Sequence, residues 1–306
     1  MKLRILVLYY TQSGQLREMI DHLLAEVEGK AEIDFVPIEP VTPFPFPWTS
    51  TDFYDVMPET VLNMPRAVKP LPQEVFDTYY NLVILGYQPW FLHPSQPVAA
   101  FLQGNDARVL NKKPVVTVVG ASNMWLNAQE QVKGFLKESG ARLVGNIVLA
   151  DNRPDPVALV TLVRWVIKGQ KDDAVLLPTV QNEHSVQALR LGGYIHRHLA
   201  DDNLIDLHRA LLSAGGVKFS VWMMLQEQMR LKWLTSWARF IHEKGKPGTP
   251  GRVKSIAFFR RFLFAIVLIG MPFSSLITLF KLLVKGNRLE KDKEYFRQLA
   301  YEKNRL

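Results

Sequence analysis

Residues 11–16 read Thr-Gln-Ser-Gly-Gln-Leu and stand between an apolar run, Leu3–Tyr10, and a helical pattern, Leu16–Glu28. Two hydroxyls, Thr11 and Ser13, offer donors, and Gly14 lets the backbone approach a ligand with no Cβ in the way. The start of the helix adds unpaired amides and a partial positive charge. Together these groups suit a phosphate. No Lys follows the glycine, so the loop is not of the nucleoside-triphosphate type, and no G-x-G-x-x-G occurs in the chain. Other chemistry is excluded by composition. With no cysteine there are no disulfides, thiolate nucleophiles or cysteine-held metal sites. Seven histidines occur without an H-E-x-x-H pattern, and His196 and His198 are two apart, so on a helix they face different ways. No metal site is expected.

The elements that would position the loop follow from periodicity. Leu3–Tyr10, Ala31–Pro37, Asn81–Gly86, Pro114–Val119 and Leu143–Ala150 are short apolar runs of the kind buried parallel strands need. Helical patterns fall between and after them, at Leu16–Glu28, Pro97–Leu102, Ala128–Ser139 and Pro156–Lys168. Strands alternating with helices predict an α/β domain, doubly wound and closing near residue 170. In such a sheet ligands bind outside the carboxyl ends of the strands, where the 11–16 loop lies. Residues 37–72 break the rhythm: nine of the 19 prolines lie there, among Phe44, Phe46, Trp48, Phe53 and Tyr54. The insert is either a proline-stiffened loop packing its own aromatics or part of a binding pocket. Beyond residue 170 the pattern is helical, at His184–Leu199, Leu204–Leu212 and Val217–His242.

The segment TQSGQL resembles the phosphate loop of flavodoxin-like proteins, T-x-[ST]-G-x-[ST] after the first strand, with Leu16 in place of the last hydroxyl. The resemblance implies a five-stranded parallel sheet of order 2-1-3-4-5 with a helical C-terminal extension. It also implies flavin mononucleotide (FMN) held by Thr11, Gln12, Ser13, Gly14, Gln15 and Leu16. Two further loops face the flavin ring in that family. Here the third strand is followed by YQPWFLHPSQP and the fourth by GASNMW. Pro89, Trp90 and Phe91 are therefore expected on one side of the ring, and Ser122, Asn123 and Trp125 on the other. His93, next to the first of these loops, is the candidate for moving a substrate proton; the plainer reading is a solvated loop histidine.

The net charge of +8 is unevenly placed. Residues 241–306 carry 14 Lys and Arg against 5 acids, and the rest of the chain carries 23 against 24. The basic residues flank 19 uncharged positions, Phe262 to Phe280, instead of covering an aromatic-studded face, which argues against nucleic acid and for an anionic membrane surface. Basic flanks on both sides suit an in-plane or re-entrant segment, while the length also reaches a span, and a buried helix is the third reading. The expected organisation is 1–170 flavodoxin-like, 171–243 helical and 244–306 a basic apolar tail. Because Lys2 and Arg4 precede a run too short for a signal peptide, a cytoplasmic site at the inner membrane face is expected.

Function follows from this combination as an expectation. The chain reads as a flavin-dependent oxidoreductase using NADH or NADPH and acting on a lipophilic quinone or an alkyl-chained ring compound. Its overall plan also resembles dialkylresorcinol-condensing or -forming proteins, which implies oxidation of a cyclic dione to an aromatic ring. A flavodoxin-type electron carrier and a flavin-free scaffold are the alternatives; the nearly neutral N-terminal part and the long extension count against the carrier.

Overall fold

The structure is a computed structural model and describes residues 3–121, 124–150, 178–218, 220–266, 278, 286–303 and 305. Five strands form one parallel sheet: β1 (Leu3–Tyr9), β2 (Ala31–Pro37), β3 (Leu82–Tyr87), β6 (Pro114–Ala121) and β7 (Arg142–Ala150). Their order is β2-β1-β3-β6-β7, the expected 2-1-3-4-5 once a small hairpin is set apart. That hairpin pairs β4 (Pro89–Trp90) with β5 (His93–Pro94), antiparallel, immediately after β3. The fold is flavodoxin-like. Residues 82–87 of β3 are all buried, as an apolar central strand covered on both faces must be.

On one face, α1 (Gln15–Leu24) packs against the sheet through Leu16, Ile20 and Leu23. The helical pattern of Leu16–Glu28 is shorter in the structure, because the chain passes into turns after Leu24 before Gly29, at φ +74°, redirects it into β2. Beside α1 lies α7 (Pro178–Ala200), followed by α8 (Leu207–Ser213), with Ala188, Leu191, Ile195 and Leu211 in the same core. The helix expected at Pro156–Lys168 lies outside the described residues. Helices beyond residue 170 therefore complete the layer over the sheet.

The α1–α7 approach is close enough to exclude a side chain. A Cβ on Gly192 would stand 1.7 Å from the Leu23 carbonyl oxygen, whereas one on the next residue, Gly193, would meet nothing within 4 Å. Gly192→Ala is expected to force the helices apart at a cost of about 1–3 kcal/mol. Gly193→Ala should be neutral or stabilising by up to about 1 kcal/mol through helix propensity alone. Paired urea midpoints of the two variants check this; equal midpoints would show that the helices are not in backbone contact.

The other face is covered by α5 (Gln96–Gln103), α6 (Leu126–Glu138), the amino-terminal half of α9 (Val221–His242) and α11 (Gly286–Arg297). The proline-rich insert joins this layer. It forms the short helices α2 (Ser50–Asp55) and α3 (Met57–Val61), and it buries Phe44, Trp48, Tyr54 and Met57. A second, smaller core unites the insert with the other half of α9 and with α10 (Pro250–Ala265), through Tyr54, Met57, Leu234, Ile241, Ile256 and Phe259. Phe91 and Leu92 of the hairpin turn pack against it.

Most of the apolar run 262–280 lies outside the described residues. Its start is the end of α10, and Thr278 is fully buried, with its Oγ1 accepting a 2.9 Å hydrogen bond from Gln226 Nε2 of α9. Among the described residues, no helix is long and apolar enough to cross a membrane.

Candidate cofactor and substrate site

The 11–16 loop stands at the carboxyl edge of β1, at the sheet's switch point between β2 and β3. Gly14 has φ +86°, a left-handed conformation that a side chain would strain, and the space where its Cβ would project is open to 4 Å. Its amide donates to Thr11 Oγ1 at 3.1 Å, which tightens the loop. Helix α1 begins at Gln15 without a side-chain cap, so its first amides are left to whatever fills the loop. The Ser13 Oγ is buried and has no hydrogen-bond partner. An orphaned buried hydroxyl beside an uncapped helix start and an open glycine cradle is what a phosphate monoester would complete, so the residues present fit FMN.

Leu16 is placed differently. Its side chain is fully buried, under the loop, where it faces Gly86 and Gly120 at the ends of β3 and β6; Cβ atoms there would come within 3.5 and 3.1 Å of it. The hydroxyl usual at this position is replaced by a core residue, which leaves only the Leu16 backbone amide for a ligand. Gln12 links the loop to the insert: its side chain accepts from Tyr10 Oη and donates to the carbonyl oxygen of Pro45 at 2.9 Å. From the far side, Gln88 accepts the Gln12 amide at 3.3 Å.

Pro89 and Trp90 are half-buried, and Trp90 sits edge-on to three rings: Tyr10 at 5.7 Å, Phe44 at 5.1 Å and Trp48 at 5.7 Å. Phe91 and Leu92 form the hairpin turn with φ of +48° and +67°. A two-residue turn of this hand favours Asn-Gly, so Phe-Leu is strained there. The rings of Phe53, 5.0 Å from Phe91, and Tyr54, 6.3 Å from it, support the turn.

His93 is not a solvated loop residue. It is 3% exposed, with Nδ1 2.8 Å from the Phe91 carbonyl oxygen, and burial pushes its pKa down to about 4 despite that hydrogen bond. It is therefore neutral at neutral pH and lies inside the hairpin, which corrects the plainer reading of a solvated loop histidine. Trp125 is 2% exposed and lies in the main core at the start of α6. Ser122 and Asn123 lie outside the described residues.

One group the sequence did not flag stands at this edge. Glu227 of α9 is fully buried, and its carboxylate accepts the amides of Asn127 at 2.7 Å and Leu126 at 3.2 Å, the first turn of α6. Asn127 in turn donates to the Leu92 carbonyl oxygen at 2.9 Å. The β6–α6 loop, the hairpin and α9 are thus tied at one point. No local signal identifies Glu227, which contacts residues 100 positions away.

No known family pattern and no curated protein matches the chain. Among solved structures it is similar to a flavoprotein in complex with FMN from Lactobacillus acidophilus NCFM, at 16% identity over 49% of this chain and 94% of that one, with TM-score 0.37. It is similar to a flavodoxin from the domain Archaea, at 13% identity over 65% and 99% of the two chains, with TM-score 0.36. A third is an NAD(P)H:quinone oxidoreductase from Methanothermobacter marburgensis, at 12% identity over 64% and 100%, with TM-score 0.32. Likeness at this level decides nothing about activity. The sheet order and the loop at its switch point make the fold flavodoxin-like.

Proposed function

We propose that the chain is an FMN-dependent oxidoreductase acting on a lipophilic ring compound at the cytoplasmic membrane face. The observation that carries the reading is the buried, partnerless Ser13 Oγ beside the uncapped start of α1. Thr11, Ser13 and Gly14, with the amides of Gln15 and Leu16, would hold the phosphate. The flavin supplies reversible two-electron chemistry, taking or giving a hydride. This chain contributes the walls. Pro89, Trp90 and Phe91, backed by Phe44, Trp48, Phe53 and Tyr54, form an aromatic margin suited to an apolar ring. NADH or NADPH is the proposed donor, and a quinone the proposed acceptor. In a second form of the same reading the substrate is a cyclic dione; its conversion to a dialkylresorcinol would remove one hydride and one proton, for which bound flavin would be the two-electron oxidant, solvent would take the proton, and a quinone would be the final electron acceptor.

The test is flavin binding by the purified full chain, with riboflavin as the control that lacks the phosphate. FMN should bind, with absorbance near 450 nm, about where flavins absorb, and riboflavin should bind far more weakly. Ser13→Ala should weaken FMN about tenfold, the equivalent of one hydrogen bond to a charged group at about 1.5 kcal/mol. It should leave riboflavin binding unchanged. Equal affinity for the two flavins, or no flavin binding, would overturn the reading. Steady-state NAD(P)H oxidation with a quinone then separates an enzyme from an electron carrier. The insert is probed by Phe53→Ala and not by deletion, because Phe44, Trp48, Tyr54 and Met57 are core residues.

A further inference from the structure

The outer face of α10 is apolar and basic, and no described part of the protein covers it. Its inner face carries Arg252, Ile256 and Phe259, all buried, while Phe258 is 59% exposed and Phe264 67%. At 100° per residue, Phe258 and Phe264 fall in one arc with Lys254 and Arg261 between them, and Arg260 lies at its edge. On α9, Phe240 is 40% exposed and continues the ridge through Trp237, whose ring is 5.6 Å from Phe240 and 5.5 Å from Phe258. From residue 230 to residue 266 the only acid is Glu243, against nine Lys and Arg, of which Arg252 is neutralised inside. Exposed rings interleaved with cations complement an anionic, greasy surface.

The described residues after α10 belong to the same globule: Thr278 is buried against α9, and α11 buries Leu289 and Phe296 in the main core. Tyr295 Oη donates to Glu130 Oε2 of α6 at 2.7 Å.

We propose that the Phe240–Phe258–Phe264 face of α9 and α10 docks the protein flat on an anionic phospholipid bilayer without crossing it. This deepens the membrane-face part of the proposed function and rests on it only for the origin of the substrate. The docking helix also leads inward to the candidate site: Phe259 lies 5.3 Å from Trp237 and 6.0 Å from Tyr54, whose ring is 6.3 Å from Phe91.

The test is co-sedimentation of the full chain with vesicles of phosphatidylcholine alone or with phosphatidylglycerol added. Binding is expected only with the anionic lipid and should weaken with salt. Arg260→Glu with Arg261→Glu should reduce it by at least about 30-fold, from about 1 kcal/mol per basic residue at the surface. Phe258→Ser with Phe264→Ser should reduce it independently, and both double variants should keep the parent melting temperature. With the protein on vesicles, externally added trypsin should still cut at Lys303. Failure to bind anionic vesicles, equal binding to both lipids, or full binding by either variant overturns the proposal. So does a concentration-dependent dimer that the Phe variant abolishes, since the face would then be covered by a second copy. FMN content measured on the same preparations keeps the two claims apart: flavin-free protein that binds vesicles removes the redox reading and leaves the docking face standing.

Discussion

Arg252→Met is expected to destabilise the folded chain by about 3–5 kcal/mol, the cost of emptying a fully buried cation site and leaving two half-buried carboxylates without their partner. The Arg252 side chain is fully buried, and its guanidinium uses every donor direction. Nε pairs with Asp55 Oδ1. Nη1 bonds Glu59 Oε1 at 2.7 Å and the Gly245 carbonyl oxygen at 3.3 Å, and Nη2 bonds Glu59 Oε2 at 2.6 Å and the Asp55 carbonyl oxygen. Asp55 accepts a further 3.1 Å bond from the Gly248 amide through Oδ2, and His242 Nδ1 lies 3.2 Å from Glu59 Oε1. This cluster clamps the insert to the α9–α10 pair. Lysine cannot replace the planar fork, so Arg252→Lys should recover only part of the loss. Combining Arg252→Met with Asp55→Asn and Glu59→Gln should recover more, because the stranded charges are then gone.

Acid should erode the same clamp. Burial by itself raises the Glu59 carboxyl, but the hydrogen bonds and charge of Arg252, with His242 beside it, hold it below the ordinary carboxylate value. A depressed folded-state value means stabilisation that is complete above the unfolded value of 4.5 and lost as pH falls through the folded one. Wild-type stability should therefore drop below about pH 4.5, and this acid limb should shrink in Arg252→Met. Tryptic cutting at the exposed Lys244 should accelerate in the variant, and its urea midpoint should fall with the lost stability. An unmoved urea midpoint would show that the Arg252 cluster adds nothing to the stability of the fold.

How much of this was legible before folding differs by range of interaction. The five strands and the 11–16 loop announce themselves through local patterns: β-branched apolar runs, then two hydroxyls and a glycine at a helix start. Leu16 shows how far local reading reaches. The motif showed that it lacks the usual hydroxyl, but not that its side chain would face Gly86 and Gly120 as core. The burial of Trp125 and His93 was likewise not legible, because the elements packed around them are distant in sequence. The Arg252 and Glu227 contacts span more than 90 residues, and nothing in periodicity or spacing pairs an arginine in a basic tail with two acids in a proline-rich insert. The nine prolines did exclude long elements correctly, and α2 and α3 are six and five residues. They could not say that the insert would pack as core instead of solvated loop.

Glu227 is expected to make the protein less stable as pH rises through neutrality, the opposite of the Glu59 clamp. Loss of hydration on burial is the main influence and raises its pKa to about 7, against the lowering effect of the Asn127, Leu126 and Trp125 amides and of Arg230. A folded-state value above the unfolded 4.5 means stabilisation that is complete below 4.5 and lost as pH climbs through about 7. The shift corresponds to about 3 kcal/mol between acid and alkaline conditions. Glu227→Gln removes the titration, so its stability should be nearly flat from about pH 5 to 8.5, and its difference from wild type should close or invert by that amount. Glu227→Ala leaves amides at the start of α6 without an acceptor and should cost about 1–3 kcal/mol at every pH. Because Asn127 also holds the Leu92 carbonyl oxygen, the alanine variant should loosen the hairpin and weaken FMN binding, while the glutamine variant, which keeps one acceptor, should retain most of it. Urea titrations across pH on the three proteins settle the matter: parallel pH profiles for wild type and Glu227→Gln would mean that the carboxyl is not the titrating group.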